Sequence, residues 1–295
     1  MLRYEYGKSI RENTTLKIGG PAFCWLEPEN FDDILESIDI SQDKKKKLVV
    51  LGGGSNIIAD DNGFDGIIIK LGKRFNYIEK EGEDLVRVGA GTPINSLVGK
   101  CIEWGFSGCE FLSGIPGAVG GAIAMNAGVR DLGDTNISRE IKDILLSVDI
   151  LDIKNKERRN IKRDDIPFKY RSCGLEDVIF IEAVVKLKQE DKDVIENKTK
   201  AFIDKRAWIS KLKFPSAGSI FKNPGSDNPA GRLIEECGLK GTKIGGAEIS
   251  LFHANFIVNT GGATSKDIFQ LMDLAREKVK NRFGIELEPE LKILR

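Results

Sequence analysis

The segment of residues 114–122 restricts the fold more than any other part of the sequence. It reads Gly-Ile-Pro-Gly-Ala-Val-Gly-Gly-Ala, and Asn-Ala-Gly follows at 126–128, so bulky and charged side chains are almost absent. Such a stretch lets the backbone lie close against a large, flat group. Tight helix packing through small residues is the alternative, but it accounts for only some of these glycines. We therefore interpret the segment as a binding element.

A second glycine-rich turn, Gly-Gly-Gly-Ser-Asn at residues 52–56, follows an apolar strand predicted at 48–51. Three glycines allow backbone N–H groups to turn toward an anion, and the serine and asparagine add side-chain hydrogen bonds. The turn does not match Gly-x-Gly-x-x-Gly, because Ile57 stands where the third glycine belongs. On this pattern alone, a phosphate cradle and an ordinary turn both remain open.

Residues 215–224 place two hydroxyls, a glycine, a lysine and an asparagine amide between two prolines that restrict the backbone. A short strand is predicted at 218–221, with Ser219 and Phe221 on one face and Ile220 on the other. From this stretch alone, a functional site and a Gly/Ser turn before a core strand are equally open.

The composition excludes several classes of function. The 295 residues are 41% hydrophobic and 31% charged, which is ordinary for a soluble globular protein of two or three parts. Lys plus Arg equals Asp plus Glu at 45 each, so no overall field favours nucleic acid or an anionic membrane. The cysteines are scattered and His253 is the single histidine, so neither a disulfide framework nor a metal site is predicted. No apolar run approaches the roughly 18 residues of a membrane span, and we expect a cytoplasmic protein.

Periodicity predicts strands at residues 22–26, 48–51, 67–69, 77–80, 86–88, 145–153, 178–188 and 256–259. Helices are predicted at 30–38 with Asn30 as the cap, at 92–104 with Thr92 as the cap, at 191–208 and at 230–237, and a long helix that ends at 283 is predicted with Thr264 or Ser265 as the cap. In the last helix, the apolar face predicts core positions at Ile268, Leu271, Met272, Ala275, Val279 and Phe283. Residues 287–291 are expected to form a solvated edge strand.

Arg171, preceded by Tyr170, carries a planar guanidinium that suits bidentate binding of a carboxylate. A surface arginine is the alternative interpretation of this segment.

Seven motifs occur in one order along the chain: Asn-Thr-Thr-Leu-Lys-Ile-Gly-Gly-Pro (13–21), Gly-Gly-Gly-Ser-Asn (52–56), Gly-Ile-Pro-Gly-Ala-Val-Gly-Gly-Ala (114–122), Tyr-Arg (170–171), Gly-Ser-Ile-Phe-Lys-Asn-Pro (218–224), His-Ala-Asn-Phe-Ile-Val-Asn (253–259) and Leu-Glu-Pro-Glu (287–290). Each motif is weak alone, but the ordered set resembles the UDP-N-acetylenolpyruvoylglucosamine reductase family over nearly the whole chain. No inserted tyrosine-bearing loop follows Arg171, which is similar to the shorter, type II branch.

The resemblance implies an α+β protein with the FAD-binding fold of the vanillyl-alcohol-oxidase-like type. This fold would comprise two α/β subdomains (1–75 and 76–190), a connecting helix (191–210) and a C-terminal α+β substrate-binding domain (211–295). In that fold the pyrophosphate lies on loops, which accounts for the missing Gly-x-Gly-x-x-Gly. Non-covalent FAD is therefore expected at Gly52, Gly53, Gly54, Ser55, Asn56, Gly114, Pro116, Gly117, Gly120, Gly121 and Ala122.

The same resemblance implies a reductase of peptidoglycan precursor synthesis. NADPH would be the co-substrate, and UDP-N-acetylglucosamine enolpyruvate would be reduced to UDP-N-acetylmuramate. We expect a monomer in the cytoplasm, with no metal and with neither nucleic acid nor membrane as a partner.

Among the matched positions, Ser219 corresponds to the family's proton donor, Arg171 to its carboxylate-binding and enolate-stabilising arginine, and Glu290 to its third catalytic group. Glu290 would orient the enolate if protonated, or Ser219 and Arg171 if ionised. The expected substrate-binding residues are Lys222, Asn223 and His253.

The chain departs from the family pattern at two places. Ser210-Lys211 stands where the family often has Gln-Pro, and Cys173 where it often has serine. Contacts to UDP and NADPH near residues 206–215 are therefore left unassigned.

Two other functions are compatible with the residues. Ser219 could be a nucleophile activated by His253 with Glu290 as orienter, although no Gly-x-Ser-x-Gly elbow is present. Alternatively, the glycine-rich turns could belong to a non-catalytic nucleotide-binding module that acts as a sensor.

Overall fold

The computed structural model describes residues 2–134, 137–225 and 227–295. The helices are α1 (Phe31–Asp43), α2 (Ile94–Glu103), α3 (Val119–Ala124), α4 (Lys192–Lys205), α5 (Ala230–Glu236) and α6 (Ser265–Phe283). The strands are β1 (Arg3–Tyr6), β2 (Ala22–Glu27), β3 (Lys47–Val50), β4 (Ile57–Ala59), β5 (Phe64–Ile69), β6 (Ile78–Glu81), β7 (Leu85–Gly89), β8 (Phe106–Ser107), β9 (Gly128–Arg130), β10 (Ser138–Glu140), β11 (Leu145–Asp152), β12 (Arg158–Lys162), β13 (Val178–Lys186), β14 (Lys188–Gln189), β15 (Ser216–Ser219), β16 (Lys243–Ile244), β17 (Ala247–Ile249), β18 (Phe256–Asn259) and β19 (Lys292–Leu294).

The chain forms two compact units, and neither is continuous in sequence. Unit 1 contains residues 2–4, 26–53 and 68–207, and unit 2 contains residues 5–25, 54–67 and 208–295. The chain passes from one unit to the other within β1, β2 and β5, which belong to a sheet of order β1-β2-β5-β3. The division into subdomains 1–75 and 76–190 and a domain 211–295 does not follow these breaks and stays a prediction.

Unit 1 is built on an antiparallel sheet of order β12-β11-β13-β7-β6. One face is apolar: Val86 and Val88 of β7 are fully buried and join a core that includes Leu97 of α2. On β7, Arg87 lies between these two valines, and its Nε donates to Glu81 of β6 at 2.5 Å. This alternation places the core on one face of the sheet and ion pairs on the other.

Unit 2 is built on an antiparallel sheet of order β15-β18-β17-β16, with β19 pairing in parallel with β4. Helix α6 is capped by Thr264, whose side chain accepts the N–H of Asp267 at 3.1 Å, while the Asp267 carboxylate accepts the N–H of Thr264 at 2.9 Å. The helix ends at Gly284 with φ of 70°. The predicted core positions of α6 are confirmed: five are fully buried and Phe283 is partly buried.

Most predicted elements are confirmed, but three local predictions are wrong. Helix α2 begins at Ile94 without a side-chain cap, because the hydroxyl of Thr92 is occupied by the backbone of Tyr77: it accepts the N–H at 3.1 Å and donates to the carbonyl at 3.0 Å. Strand β15 ends at Ser219, two residues before the predicted end at 221.

The third correction concerns residues 287–291, which do not form a solvated edge. Leu287 and Leu291 are buried, and Pro289 forms a β-bridge with Phe221.

Two further observations bear on the functional classes. Among the described residues, no helix combines the length and the apolar character that crossing a membrane requires. All five cysteines are free thiols.

Candidate functional site

Unit 1 contains a cavity of about 520 Å³. Its wall combines strand ends, both glycine-rich turns and the segment before β13; the lining residues are Leu48, Val50, Leu51, Gly52, Gly53, Lys70, Leu71, Ala90, Gly91, Pro93, Gly117, Ala118, Gly120, Gly121, Ala124, Ile153, Leu175, Asp177, Val178 and Phe180. A mostly apolar cavity of this size with a few polar groups is typical of a site for a small molecule or cofactor.

Glycines allow the walls of this cavity to approach each other. A Cβ atom on Gly53 would lie 2.6 Å from the Cα atom of Gly117, and one on Gly120 would lie 3.0 Å from the Cβ atom of Ala90. The backbone N–H of Gly120 donates to the carbonyl of Ala90 at 2.9 Å. The two turns therefore meet backbone to backbone, which a residue with a side chain would prevent.

The structure brings together some of the predicted cofactor residues. Those in the cavity wall are Gly52, Gly53, Gly117, Gly120 and Gly121. Of the remaining residues, all of which the structure describes, Gly114, Pro116 and Ala122 belong to unit 1 outside the wall, and Gly54, Ser55 and Asn56 belong to unit 2. The apolar wall residues were missed because, in sequence, they look like ordinary core positions.

Arg171 lies in a turn of unit 1 that is held against the cavity wall. Its φ is 57°, a left-handed conformation that costs a non-glycine residue about 1–3 kcal/mol and persists only where the surrounding structure enforces it. Here the N–H of Cys173 donates to the carbonyl of Ala124, a wall residue, at 3.0 Å. The Nη1 of Arg171 donates to the carbonyl of Gly128 at 3.2 Å. The predicted carboxylate-binding residue thus has a fixed backbone beside the cavity.

A second arginine, Arg206, accompanies Arg171 in unit 1. Burial lowers the pKa of the Arg206 guanidinium, and the positive charge of Arg171 lowers it further. Its buried Nε donates to no acceptor among the described residues. A desolvated guanidinium that feels the charge of a second arginine favours a bound anion. No sequence pattern indicated Arg206, because an arginine near the end of a charged helix resembles a surface residue.

In unit 2 the structure brings Ser219 and Glu290 close along paired backbones. The N–H of Glu290 donates at 2.8 Å to the carbonyl of Ile220, the residue after Ser219. The side-chain amide of Asn56 donates to the carbonyl of Glu290 at 3.2 Å. A predicted proton donor, a predicted catalytic carboxyl and a predicted cofactor residue therefore lie in one region of unit 2.

Lys222 and Asn223 follow on the same segment. The Nζ of Lys222 lies 2.5 Å from a carboxylate oxygen of Glu288, and the backbone N–H of Lys222 donates to the carbonyl of Glu288 at 2.9 Å. The side-chain oxygen of Asn223 accepts the N–H of Ala230 at 3.0 Å, at the start of α5. These bonds fix both residues relative to the strand that carries Ser219.

His253 is held by packing in unit 2. Its ring stacks on Trp208 with centroids 4.9 Å apart and planes 19° from parallel, and its Nδ1 accepts the N–H of Asn255 at 3.2 Å. Burial lowers the pKa of the imidazole, and the charge of Lys240 lowers it further. The serine-hydrolase alternative needs a Ser219–His253 hydrogen bond, and the hydrogen bonds found among the described residues include none between them. Among these residues, no cluster of His, Cys, Asp and Glu could hold a metal ion.

Comparison with known proteins gives consistent results. The chain matches the family models "FAD binding domain" over residues 23–156 and "UDP-N-acetylenolpyruvoylglucosamine reductase, C-terminal domain" over residues 210–294. It is 37% identical to the UDP-N-acetylenolpyruvoylglucosamine reductase of Desulforamulus reducens over 98% of this chain and 93% of that protein. It is also 37% identical to the reductase of Bacillus subtilis over 97% and 92% of the two chains.

A solved structure agrees with these relatives. The crystal structure of UDP-N-acetylenolpyruvylglucosamine reductase from Thermus caldophilus superposes with a TM-score of 0.84, at 34% identity and over 100% of both chains. The predicted α+β class and FAD-binding fold are confirmed. The cavity residues fit FAD: the glycine walls let a flat group approach the backbone, and apolar side chains cover the remaining wall.

We expect Gly53→Ala to weaken FAD binding. The new methyl group must displace the backbone of Gly117, an overpacking that costs about 1–3 kcal/mol, so the free energy of unfolding should fall as well. Gly99→Ala is the matched control, because Gly99 lies inside α2 and a Cβ atom there would have no neighbour within 4 Å. This substitution should raise the free energy of unfolding by roughly 0.5–1 kcal/mol. Flavin fluorescence titration and urea unfolding measure both effects, and wild-type FAD affinity in Gly53→Ala would contradict the assignment of the cavity.

We expect the single imidazole of the chain to titrate below its ordinary pKa of 6.5 in the folded protein. Because the folded pKa is lowered, the folded state binds fewer protons, and stability should fall as the pH drops below about 6.5. The C–H resonances of His253 in NMR spectra report its midpoint. His253→Phe keeps an aromatic ring without the titration, so its loss of stability between about pH 7.5 and 5.5 should be smaller than that of the wild type. An unshifted or raised midpoint would refute this.

Proposed function

Because this chain belongs to the UDP-N-acetylenolpyruvoylglucosamine reductase family and is an FAD-dependent oxidoreductase, we propose that it uses NADPH to reduce UDP-N-acetylglucosamine enolpyruvate to UDP-N-acetylmuramate. The reaction would take place in the cytoplasm, in the synthesis of peptidoglycan precursors. Absence of a flavin absorbance band in the purified protein, persisting after incubation with FAD, would refute the proposal.

The chemistry sets three demands on the chain. Once bound and reduced by NADPH, the flavin would supply the hydride that is added to the terminal carbon of the enolpyruvyl double bond. Negative charge then develops on the adjacent carbon and spreads into the carboxylate as an enolate. The chain must bind the carboxylate, stabilise the developing charge and deliver one proton to the adjacent carbon.

Arg171 is the proposed partner of the substrate carboxylate. Its strained backbone is held by surrounding hydrogen bonds, which is typical of residues fixed for binding. The desolvated guanidinium of Arg206 supports this role, because it feels the positive charge of Arg171 and a bound anion would offset both charges. Both arginines can stabilise the enolate charge as it forms.

Ser219 is the proposed proton donor. The observation that carries this assignment is the backbone hydrogen bond between Ile220 and Glu290, at 2.8 Å, which fixes the end of β15 beside the backbone of the residue predicted to be the third catalytic group. A serine hydroxyl is a weak acid, but an enolate carbon is a strong base, so transfer from Oγ to carbon is favourable when the geometry is held. Glu290 would orient the enolate if protonated, or the serine and arginine if ionised.

Lys222 and Asn223 are proposed to bind the substrate diphosphate. Their segment is fixed by the bonds to Glu288 and Ala230, and an ammonium group and an amide both suit phosphate oxygens. The Lys222–Glu288 ion pair is at the surface, with Glu288 69% exposed, so a phosphate can replace the carboxylate at little cost. His253, as a packed and uncharged ring, would support this region by contact rather than by charge.

We expect Ser219→Ala to separate the two half-reactions. Reduction of the flavin by NADPH needs no proton from Oγ and should stay at the wild-type rate, while reoxidation by the enolpyruvyl substrate should slow by about 10²-fold or more. Ser216→Ala is the control on the same strand, because the Ser216 hydroxyl accepts the N–H of Gly218 at 3.2 Å and has only a structural role. Stopped-flow absorbance of the flavin follows each step. Equal slowing of both half-reactions in Ser219→Ala would contradict the proton-donor role.

We expect Arg206→Gln to stabilise the free protein and to weaken substrate binding. Removing a desolvated charge beside Arg171 relieves repulsion, while the loss of one charge-assisted contact should raise the KM for the enolpyruvyl substrate by about tenfold or more. Thermal unfolding and steady-state kinetics measure the two effects. The control is Arg159→Gln, because Arg159 is an exposed arginine paired with Asp152. This substitution should change neither the thermal stability of the protein nor the KM for the enolpyruvyl substrate. A destabilised Arg206→Gln with unchanged KM would show that Arg206 is structural.

A further inference from the structure

The turn of residues 169–172 carries Arg171 at its tip, and we call it the Arg171 turn. Two backbone hydrogen bonds close it: the N–H of Lys169 donates to the carbonyl of Ser172 at 2.8 Å, and the N–H of Ser172 donates to the carbonyl of Lys169 at 3.1 Å. These bonds fix the shape of the turn but not its place in unit 1. Its place is set by contacts with another segment.

Residues 124–128, which begin at the end of α3, hold the Arg171 turn at two points through their backbone. The N–H of Cys173, just after the turn, donates to the carbonyl of Ala124 at 3.0 Å. The Nη1 of Arg171 donates to the carbonyl of Gly128 at 3.2 Å. Because α3 also lines the cavity that fits FAD, this segment connects the proposed carboxylate-binding arginine to the cofactor cavity.

Between these two points, the side chain of Asn126 joins the Arg171 turn to a buried carboxylate. Its Nδ2 donates to Oε2 of Glu140 at 2.9 Å and to the carbonyl of Lys169 at 3.2 Å. Asn126 is fully buried, and the carboxylate of Glu140 is nearly so and also pairs with Lys142. A buried hydrogen bond to a carboxylate is strong and directional, so it fixes the amide in the orientation that holds the turn.

Two features of Asn126 destabilise the folded chain. Its φ is 42°, in the left-handed region that favours glycine. Its Oδ1 is buried and accepts no hydrogen bond from the described residues. A glycine at this position would avoid both costs but would leave the Arg171 turn without its third contact. The contacts of the amide, rather than stability, therefore account for an asparagine here.

From these contacts we propose that Asn126 is a positioning residue for the reduction of the enolpyruvyl substrate. Its amide holds the Arg171 turn against the segment that follows α3, so that the guanidinium is in place to bind the substrate carboxylate. Asn126 does not touch the substrate and acts only through Arg171. The inference rests on the proposed function and extends it to a residue without an assigned role.

The first test compares Asn126→Gly with the wild type, both as the full, FAD-loaded chain. Glycine keeps the left-handed backbone and removes only the amide. Binding of the enolpyruvyl substrate to the oxidised enzyme, followed by the change in flavin absorbance without NADPH, should weaken by about fivefold or more. Reoxidation of the reduced flavin by this substrate should slow by at least the same factor. Reduction of the flavin by NADPH does not use Arg171 and should keep the wild-type rate.

A double-mutant cycle shows whether Asn126 acts through Arg171. The substrate dissociation constant is measured for Asn126→Gly, for Arg171→Ala and for the double variant. In the Arg171→Ala background, Asn126→Gly should cause no further loss, because the group that it positions is absent. A purely structural effect on unit 1 would instead weaken binding by the same factor in both backgrounds.

Two further variants keep the test specific. Asn126→Asp has nearly the same size and tolerates the left-handed conformation but lacks the amide N–H groups, so it should separate the two half-reactions in the same way. It replaces Asn126→Gly if the glycine variant does not retain FAD. Lys45→Gly is the matched control, because Lys45 is an exposed residue of unit 1 with φ of 52°, outside the Arg171 turn. It should bind the substrate like the wild type.

Three outcomes would overturn the proposal. They are wild-type substrate affinity in the FAD-loaded Asn126 variants, equal slowing of the two half-reactions, or the same loss with and without the side chain of Arg171. Failure of the proposed function is seen in the wild type instead: a chain whose flavin NADPH does not reduce, or which does not bind the enolpyruvyl substrate, would refute both.

Discussion

The backbone contact between Gly53 and Gly117 is the constraint on which unit 1 depends. A Cβ atom at Gly53 would lie 2.6 Å from the Cα atom of Gly117, so the two turns can meet only because Gly53 lacks a side chain. That contact brings the end of β3 to the segment before α3, and the cavity wall includes both. The density of glycine in the sequence is thus a requirement of packing as well as of cofactor binding, and one substitution affects both.

Buried asparagines fix the loops around the proposed sites. Asn126 donates to Glu140 at 2.9 Å and to the carbonyl of Lys169 at 3.2 Å, close in sequence to Arg171. Asn255 both accepts from and donates to the backbone of Phe221, at 3.0 and 2.8 Å, two residues after Ser219. An amide can satisfy a donor and an acceptor at once, so one side chain holds two backbone segments in register.

The sequence was sufficient to predict those structural features that depend on residues close together in the chain. The Asn30 and Thr264 caps, strand β18 and the buried face of α6 follow from short-range rules, and the structure confirms each of them. Features created by contacts between distant segments were not predictable. Thr92 lost its expected capping role to Tyr77, fifteen residues away, and the burial of Arg206 beside Arg171 has no counterpart in the sequence pattern.

The ordered motifs anticipated the fold and the family, which spacing and composition alone left open. They also named Ser219 and Glu290, which the structure places in one region of unit 2. They did not indicate the left-handed backbone of Arg171, because φ is set there by the surrounding hydrogen bonds and not by the residue type.

The parallel pairing of β19 with β4 has a consequence for how the chain reaches its native state. The side-chain amide of Asn56 donates to the carbonyl of Glu290, which is 234 positions further along the chain. This part of unit 2 therefore cannot form until the segment 208–295 has been synthesised. Residues 5–25 and 54–67 leave the ribosome early and have no complete core until then. Contacts of such long range make folding slow, and the exposed early segments are where a chaperone would bind the nascent chain.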